Sequence, residues 1–151
     1  IAASKPEFKA EEKRLIDYFR HQIDRMGIRL KLGCRADTDT FLNESPDVVI
    51  IATGARYVRT VCPGAEKGVD AVDLLMGKTT VSDPVVIVGG GLVGCETALH
   101  LALQGQKVSI IEMMDDILLK VNVISRYGMI ESLTEKGVSW SCGMKLVSVK
   151  D

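Results

Sequence analysis

A glycine-rich segment in the second half of the chain has the residue types and spacing of a phosphate-binding loop. It reads Gly89-Gly90-Gly91-Leu92-Val93-Gly94 and contains the pattern G-x-G-x-x-G. An apolar run at 85–88 precedes it, and a run with helical character at 92–104 follows it. This order is typical of a strand, loop and helix that bind the pyrophosphate of a dinucleotide.

The spaced glycines have separate physical roles in such a unit. Gly89 allows the tight turn out of the strand, Gly91 leaves room for the pyrophosphate, and Gly94 lets the helix lie close to the strand. The N-terminus of the helix offers free N–H groups and a partial positive charge to the phosphates. We expect the amides near Leu92 and Val93 to be the main donors.

An acidic residue after the next predicted strand, 107–111, supports the same interpretation. Glu112 ends that strand, where a carboxylate accepts hydrogen bonds from the ribose hydroxyls of adenosine and repels a 2′-phosphate. Residues 113–116 contain no arginine that would bind such a phosphate. The pattern therefore predicts a preference for NAD(H) over NADP(H).

Glu96 and Cys95 lie near the start of the predicted helix, where the helix dipole acts on them. Glu96, which we place in the first turn, either complements the helix dipole or lies near the nicotinamide side of the cleft, and both readings stay open. The same dipole is expected to lower the pKa of the Cys95 thiol. The other cysteines form no CxxC pair, which predicts free thiols and no zinc site: Cys34, Cys62 and Cys142. We predict no catalytic side chain and no metal ligand.

The elements around these residues alternate in a way that predicts an α/β fold, with a Rossmann-like parallel sheet flanked by helices. Asp70 and Asn122 are predicted to cap helices over 72–76 and 123–136, and a capping box is predicted to start an N-terminal helix at Ser4. Residues 35–46 are expected to form a loop. The predicted strands cover 28–32, 47–54, 85–88, 107–111, 138–142 and 146–149.

The composition excludes several classes of protein. The 151 residues are 46% hydrophobic and 26% charged, with a net charge of −1, which argues against a nucleic-acid partner. The sequence has no apolar run of about 18 residues, so we expect no transmembrane helix. Residues 1–4 lack the features of a signal peptide, and we therefore expect a cytoplasmic protein.

Two motifs together resemble a known family. The run Val48-Val49-Ile50-Ile51-Ala52-Thr53-Gly54-Ala55 looks like the ATG motif of flavoproteins with two dinucleotide domains, and residues 86–98 look like their NAD-domain fingerprint. Segments 15–23 and 71–75 also look like the corresponding segments of the same family. The chain resembles the FAD/NAD(P)-binding, pyridine nucleotide-disulphide oxidoreductase-like module at the C-terminus of the 2,4-dienoyl-CoA reductase, 2-enoate reductase, NADH oxidase and trimethylamine dehydrogenase family.

That resemblance implies a larger flavin-dependent enzyme. Its members carry an N-terminal TIM barrel with FMN and a 4Fe–4S cluster, and electrons from the nicotinamide pass through these groups to reduce an activated C=C bond. Thr53 and Gly54 would lie near FAD in the parent enzyme. The resemblance divides the chain into a partial FAD-domain segment ending in the ATG strand (1–60), a crossover (61–84) and an NAD-binding half (85–151).

The chain begins without Met and lacks the FAD domain's own glycine fingerprint, so we expect it to be a piece of a longer protein. Its partners would be the dinucleotide and the remaining domains of the parent, and the piece alone would catalyse nothing. Two alternatives stay open. One is a structural module that binds an adenine nucleotide without hydride transfer, and the other is an S-adenosylmethionine-dependent methyltransferase, which also combines a glycine loop with an acid.

Overall fold

The computed structural model describes residues 2–55, 58 and 60–150, and the chain divides into two compact units. The first unit comprises residues 1–17 and 60–151, and the second comprises 18–59. Helix α1 (Ala10–Arg25) crosses from the first range into the second. The predicted boundary between the FAD-domain segment and the crossover lies after residue 60. Residues 56, 57 and 59, just before that boundary, lie outside the described residues.

The first unit is built on a parallel sheet. Its strands are β1 (Val85–Val88), β2 (Val108–Ile111) and β3 (Ser139–Ser141), in the order β1-β2-β3. Helix α4 (Leu92–Leu103) connects β1 to β2, and helix α5 (Val123–Glu135) connects β2 to β3. Strands and helices therefore alternate as βαβαβ, and the predicted α/β fold is confirmed.

Helix α4 is the central helix of this unit. It contacts β1, β2, α5 and the short helix α3 (Ala71–Leu75), so its sequence is apolar around most of its circumference. Its partners bury most of the middle of the helix. The buried residues of α4 are Cys95, Glu96, Thr97, Ala98, Leu99 and Leu101.

The two predicted side-chain caps, at Asp70 and Asn122, are confirmed. Asp70 caps α3 by accepting a hydrogen bond from the N–H of Val72 at 2.8 Å. Asn122 caps α5 through the N–H of Ser125 at 3.0 Å. Such caps satisfy N–H groups that have no partner inside the helix.

The N-terminal helix begins later than predicted. Residues Ala2–Ser4 and Glu7–Lys9 form two short 3-10 turns, and α1 starts only at Ala10. Pro6, which separates the turns, has an extended conformation with ψ 138°, and this prevents a continuous helix from Ser4.

Residues 35–46 contain a helix that the sequence interpretation missed. Helix α2 (Thr38–Glu44) starts at a capping box in which Asp37 accepts from the N–H of Thr40, while the Thr40 hydroxyl accepts from the N–H of Asp37. The signal for this helix was the pair Asp37 and Thr40 at the spacing of a capping box.

Three predicted strands do not form. Residues 28–32 and 47–54 have no strand, and the apolar run in the second of these is exposed, with Ile50 at 85% and Ile51 at 81%. A strand needs a neighbour to pair its backbone groups, and the described part of the second unit provides none. Residues 146–149 are also not a strand, because the N–H of Val149 donates to Pro63 O at 2.9 Å instead of to the sheet.

None of the described helices is both long and apolar enough to span a membrane.

Candidate functional site

The glycine loop lies at the carboxyl end of β1. Gly89 has a φ of +109°, and its N–H donates to Ile111 O at 2.8 Å, which ties the start of the loop to the end of β2. Gly91 occupies the N-cap of α4, and no side chain caps this helix. The first N–H groups of α4, at Leu92 and Val93, therefore lack a side-chain cap and have no partner inside the helix.

The glycines of the loop differ in the space around them. A Cβ at Gly94 would lie 1.9 Å from Gly89 O, so the absence of a side chain lets α4 lie directly against the end of β1. A Cβ at Gly91 would have no atom within 4 Å. The surface of the loop at Gly91 is therefore open, while its base at Gly94 is closed.

Gly90 has a packing role that the sequence interpretation did not assign. A Cβ there would lie 2.4 Å from Ile117 Cγ2 and 3.2 Å from the Cβ of Glu112. The available signal was that Gly90 is also a glycine, although the spacing G-x-G-x-x-G leaves this middle position unspecified. Gly90 thus brings the loop into contact with the segment that follows β2.

Glu112 is held by two backbone amides at the same end of the sheet. Its Oε2 accepts from the N–H of Gly90 at 2.6 Å, and its Oε1 accepts from the N–H of Met114 at 2.8 Å. The Met114 bond, assisted by the amides of Gly90 and Met113, lowers the pKa of Glu112 below its usual value, against the opposing effect of desolvation. The carboxylate is therefore charged and fixed in orientation beside the loop.

Glu96 forms an ion pair that its sequence position does not reveal. It is the fifth residue of α4, just past the first turn where we expected it, and it is buried. Lys9 Nζ lies 2.6 Å from Glu96 Oε1 and 3.1 Å from Glu12 Oε1. Burial acts to lower the pKa of Lys9, but its bonds to Glu96 and Glu12 raise it overall. No local motif connects residues so far apart in the chain.

The expectation that the helix dipole lowers the pKa of the Cys95 thiol is wrong. The thiol is fully buried, its Sγ lies 3.4 Å from Gly90 O, and burial raises its pKa to about 12, assisted by the negative charges of Glu112 and Glu96. Desolvation and these two charges outweigh the helix dipole. All four cysteines are free, as their scattered spacing predicts.

Thr53 and Gly54 lie in the second unit. Both are exposed, in a segment without helix or strand, and Gly54 has a φ of +80°. Across the described ranges 2–55, 58 and 60–150, no group of three or more His, Cys, Asp or Glu side chains is arranged to hold a metal ion.

The chain is similar in sequence to a family of oxidoreductases and to several of its members. The model of the family described as pyridine nucleotide-disulphide oxidoreductase matches residues 38–151. An NADH oxidase of Thermoanaerobacter brockii is 39% identical over 155 residues, covering 99% of this chain and 24% of the relative. A cinnamate reductase of Clostridium sporogenes is 39% identical over 113 residues, covering 75% of this chain and 17% of the relative.

Among solved structures, a 2-naphthoyl-CoA reductase in complex with 2-naphthoyl-CoA is similar over nearly the whole chain. The TM-score is 0.88 at 28% sequence identity, and the match covers 99% of this chain and 23% of that chain. This chain therefore spans about a quarter or less of the length of these three proteins.

Proposed function

The chain belongs to the pyridine nucleotide-disulphide oxidoreductase family, and we propose that its glycine loop, Gly89–Gly94, binds the pyrophosphate of NAD(H) while Glu112 binds the adenosine ribose. One observation carries this proposal. The N-terminus of α4 has no side-chain cap and meets open space over Gly91, directly beside a carboxylate held by the N–H of Gly90. A pyrophosphate and a ribose are the groups that these two neighbouring features fit.

The phosphate half of the proposal depends on the backbone. In the first turn of α4, the N–H groups of Leu92, Val93 and Gly94 precede the first intrahelical bond, which the N–H of Cys95 donates to Gly91 O at 3.0 Å. Such N–H groups, together with the helix dipole, favour an anion. Because Gly91 has no Cβ and the space beside it is open, phosphate oxygens would be able to approach the backbone closely.

The selectivity half of the proposal depends on charge. The carboxylate of Glu112 accepts from ribose hydroxyls and repels a 2′-phosphate, so NADH is preferred over NADPH. The structure adds one cation near this loop, Arg126, which sequence inspection of 113–116 did not include. Its guanidinium pairs with Asp116 through Nη2 and donates from Nε to Ile117 O, so Asp116 already balances its charge.

Glu96 is a further proposed cofactor-binding residue. Its ion pair with Lys9 fixes a buried charge on α4, two residues after the last glycine of the loop. We propose the second of the two readings, a position near the nicotinamide side of the cleft, with Lys9 holding the carboxylate in a fixed direction.

The parent enzyme is proposed to be a flavin-dependent oxidoreductase of the enoate or dienoyl-CoA reductase type. Two relatives are named as reductases of cinnamate and 2-naphthoyl-CoA, which supports an activated C=C bond as the acceptor. Bound NADH would supply the hydride, and Thr53 and Gly54 would lie near FAD. FMN and the 4Fe–4S cluster would belong to the remaining domains, which are this chain's proposed partners in the cytoplasm.

The proposal also assigns three regions of the chain to parts of the parent enzyme. Residues 1–60 would belong to the FAD domain, 61–84 to the crossover and 85–151 to the NAD-binding half. Membership of an oxidoreductase family removes the methyltransferase alternative. The other alternative is a module that binds an adenine nucleotide without hydride transfer. It can be distinguished from the proposed function because the nicotinamide would add nothing to its binding affinity.

Calorimetric titration of the 151-residue chain with NADH, NADPH and ADP tests the proposal. We expect NADH to bind at least about tenfold more tightly than NADPH, because the 2′-phosphate would face Glu112. Equal affinity for NADH and ADP would instead favour the non-catalytic module, and equal affinity for NADH and NADPH would contradict the role of Glu112. Steady NADH oxidation without added flavin would overturn the expectation that the chain alone is inactive.

A further inference from the structure

The segment Asp116–Leu118 lies directly against the glycine loop. The N–H of Leu118 donates to Gly90 O at 2.8 Å, and Ile117 Cγ2 would lie 2.4 Å from a Cβ at Gly90. Ile117 and Leu118 are both completely buried. The position of Gly90, whose O accepts from Leu118 and whose N–H donates to Glu112, therefore depends on where this segment lies.

This segment has an unfavourable local conformation. Leu118 has a φ of +58°, in the left-handed region that residues other than glycine rarely adopt. Such a conformation persists only where surrounding contacts enforce it. Contacts from outside the segment are therefore needed to keep it in place.

Arg126 of α5 provides two such contacts from a single side chain. Its Nη2 forms an ion pair with Asp116 Oδ2, and its Nε donates to Ile117 O at 3.2 Å. Asp116 Oδ1 in turn accepts from the N–H of Ile117 at 2.8 Å. The guanidinium suits this arrangement because its donors diverge in a fixed plane, whereas a lysine has a single ammonium group.

We infer that Arg126 is a positioning residue for the dinucleotide loop, acting through Asp116–Leu118 on Gly90 and, through the Gly90 N–H, on Glu112. Each contact in this series joins protein atoms, so the effect of Arg126 on the Gly90 amide can be measured in the protein without cofactor. The consequence for NADH affinity rests on the proposed function. Arg126 itself does not need to touch the cofactor.

The test compares Arg126→Gln and Arg126→Lys in the 151-residue chain, with Arg14→Gln as the matched control. Arg14 pairs with Glu11 on its own exposed helix surface, so its replacement removes an arginine ion pair away from the loop. In the ligand-free proteins, we expect Arg126→Gln to shift the NMR signal of the Gly90 amide, with a smaller shift in Arg126→Lys and none in Arg14→Gln. NADH affinity should fall about five- to tenfold in Arg126→Gln, with partial recovery in Arg126→Lys.

The outcomes separate this inference from the proposed function. A Gly90 amide at its wild-type position in both Arg126 variants overturns the inference, whatever the NADH affinity. A shifted Gly90 amide in a chain whose wild type binds no NADH supports the positioning role and contradicts the proposed function. Thermal unfolding of each variant shows whether it is folded. If Arg126→Gln does not fold, the shift of the Gly90 amide in Arg126→Lys alone tests the positioning role of Arg126.

Discussion

Replacing Gly94 with alanine is expected to destabilise the first unit by about 2–3 kcal/mol and to abolish measurable NADH binding. The new Cβ would lie 1.9 Å from Gly89 O, a backbone atom that cannot rotate away as a side chain does. Helix α4 must then move off the end of β1, and its first N–H groups leave the position over the loop. Thermal or urea unfolding measures the first effect, and calorimetry with NADH measures the second.

Gly128→Ala is the matched control for this substitution. Gly128 lies within α5, and a Cβ there would have no atom within 4 Å. Alanine is a better helix former than glycine, so this variant should be more stable by roughly 0.5–1 kcal/mol and should bind NADH as wild type does. A Gly94→Ala protein that matched Gly128→Ala in both measurements would refute the close contact between α4 and β1.

The second large effect is expected for Glu112→Gln. The glutamine keeps the size of the side chain but removes its charge and places an amide donor where Gly90 or Met114 now donates. Bonds to a charged acceptor are stronger than neutral ones, so NADH affinity should fall by about ten- to a hundredfold. NADPH should lose less affinity, because the substitution also removes the repulsion between the Glu112 carboxylate and the 2′-phosphate. The ratio of NADH affinity to NADPH affinity should therefore decrease.

The same substitution should change how stability depends on pH. The pKa of Glu112 is lower in the folded chain than its ordinary value, so its charged form stabilises the fold above the unfolded-state pKa. This contribution is lost as the pH falls through the lowered, folded-state pKa. Urea unfolding between about pH 3 and pH 7 should therefore show a shallower loss of stability at acid pH in Glu112→Gln than in wild type.

Glu131→Gln serves as the control for both measurements on Glu112. Glu131 is an exposed residue on α5, so its replacement changes the net charge by the same amount. It should leave the NADH affinity, the preference over NADPH and the acid limb of the stability curve unchanged. If Glu131→Gln and Glu112→Gln reduced NADH affinity equally, the effect would arise from overall charge and the assigned role of Glu112 would be wrong.

The sheet and its loop could be predicted from the sequence because their signals are local. Strand β1 is a short apolar run and β2 is apolar except at Ser109. The glycines between β1 and α4 have a fixed spacing, and Asn122 precedes its helix directly. These features depend on backbone conformation and on neighbours within a few residues. The same locality explains why the Asp37 capping box was detectable in principle, although residues 35–46 were interpreted as a loop.

Features that depend on distant contacts could not be predicted in this way. The apolar run 47–54 has the composition of a buried strand, but composition does not supply the neighbouring strand that pairing requires, and the run is exposed. Burial likewise decided the pKa of Cys95 against the helix dipole. The ion pair of Lys9 with Glu96 and the bond from Arg126 to Ile117 join residues that no sequence motif connects.

The most direct test of the pyrophosphate assignment follows backbone amides of the 151-residue chain by NMR during titration with NADH. We predict that the largest shifts fall on Gly89–Gly94, with smaller ones at Glu112. The amides of Gly105 and Gly137, which end α4 and α5 away from the loop, should stay unchanged. Saturable NADH binding that left Gly89–Gly94 unshifted would contradict the account and show that the glycine loop only shapes the fold.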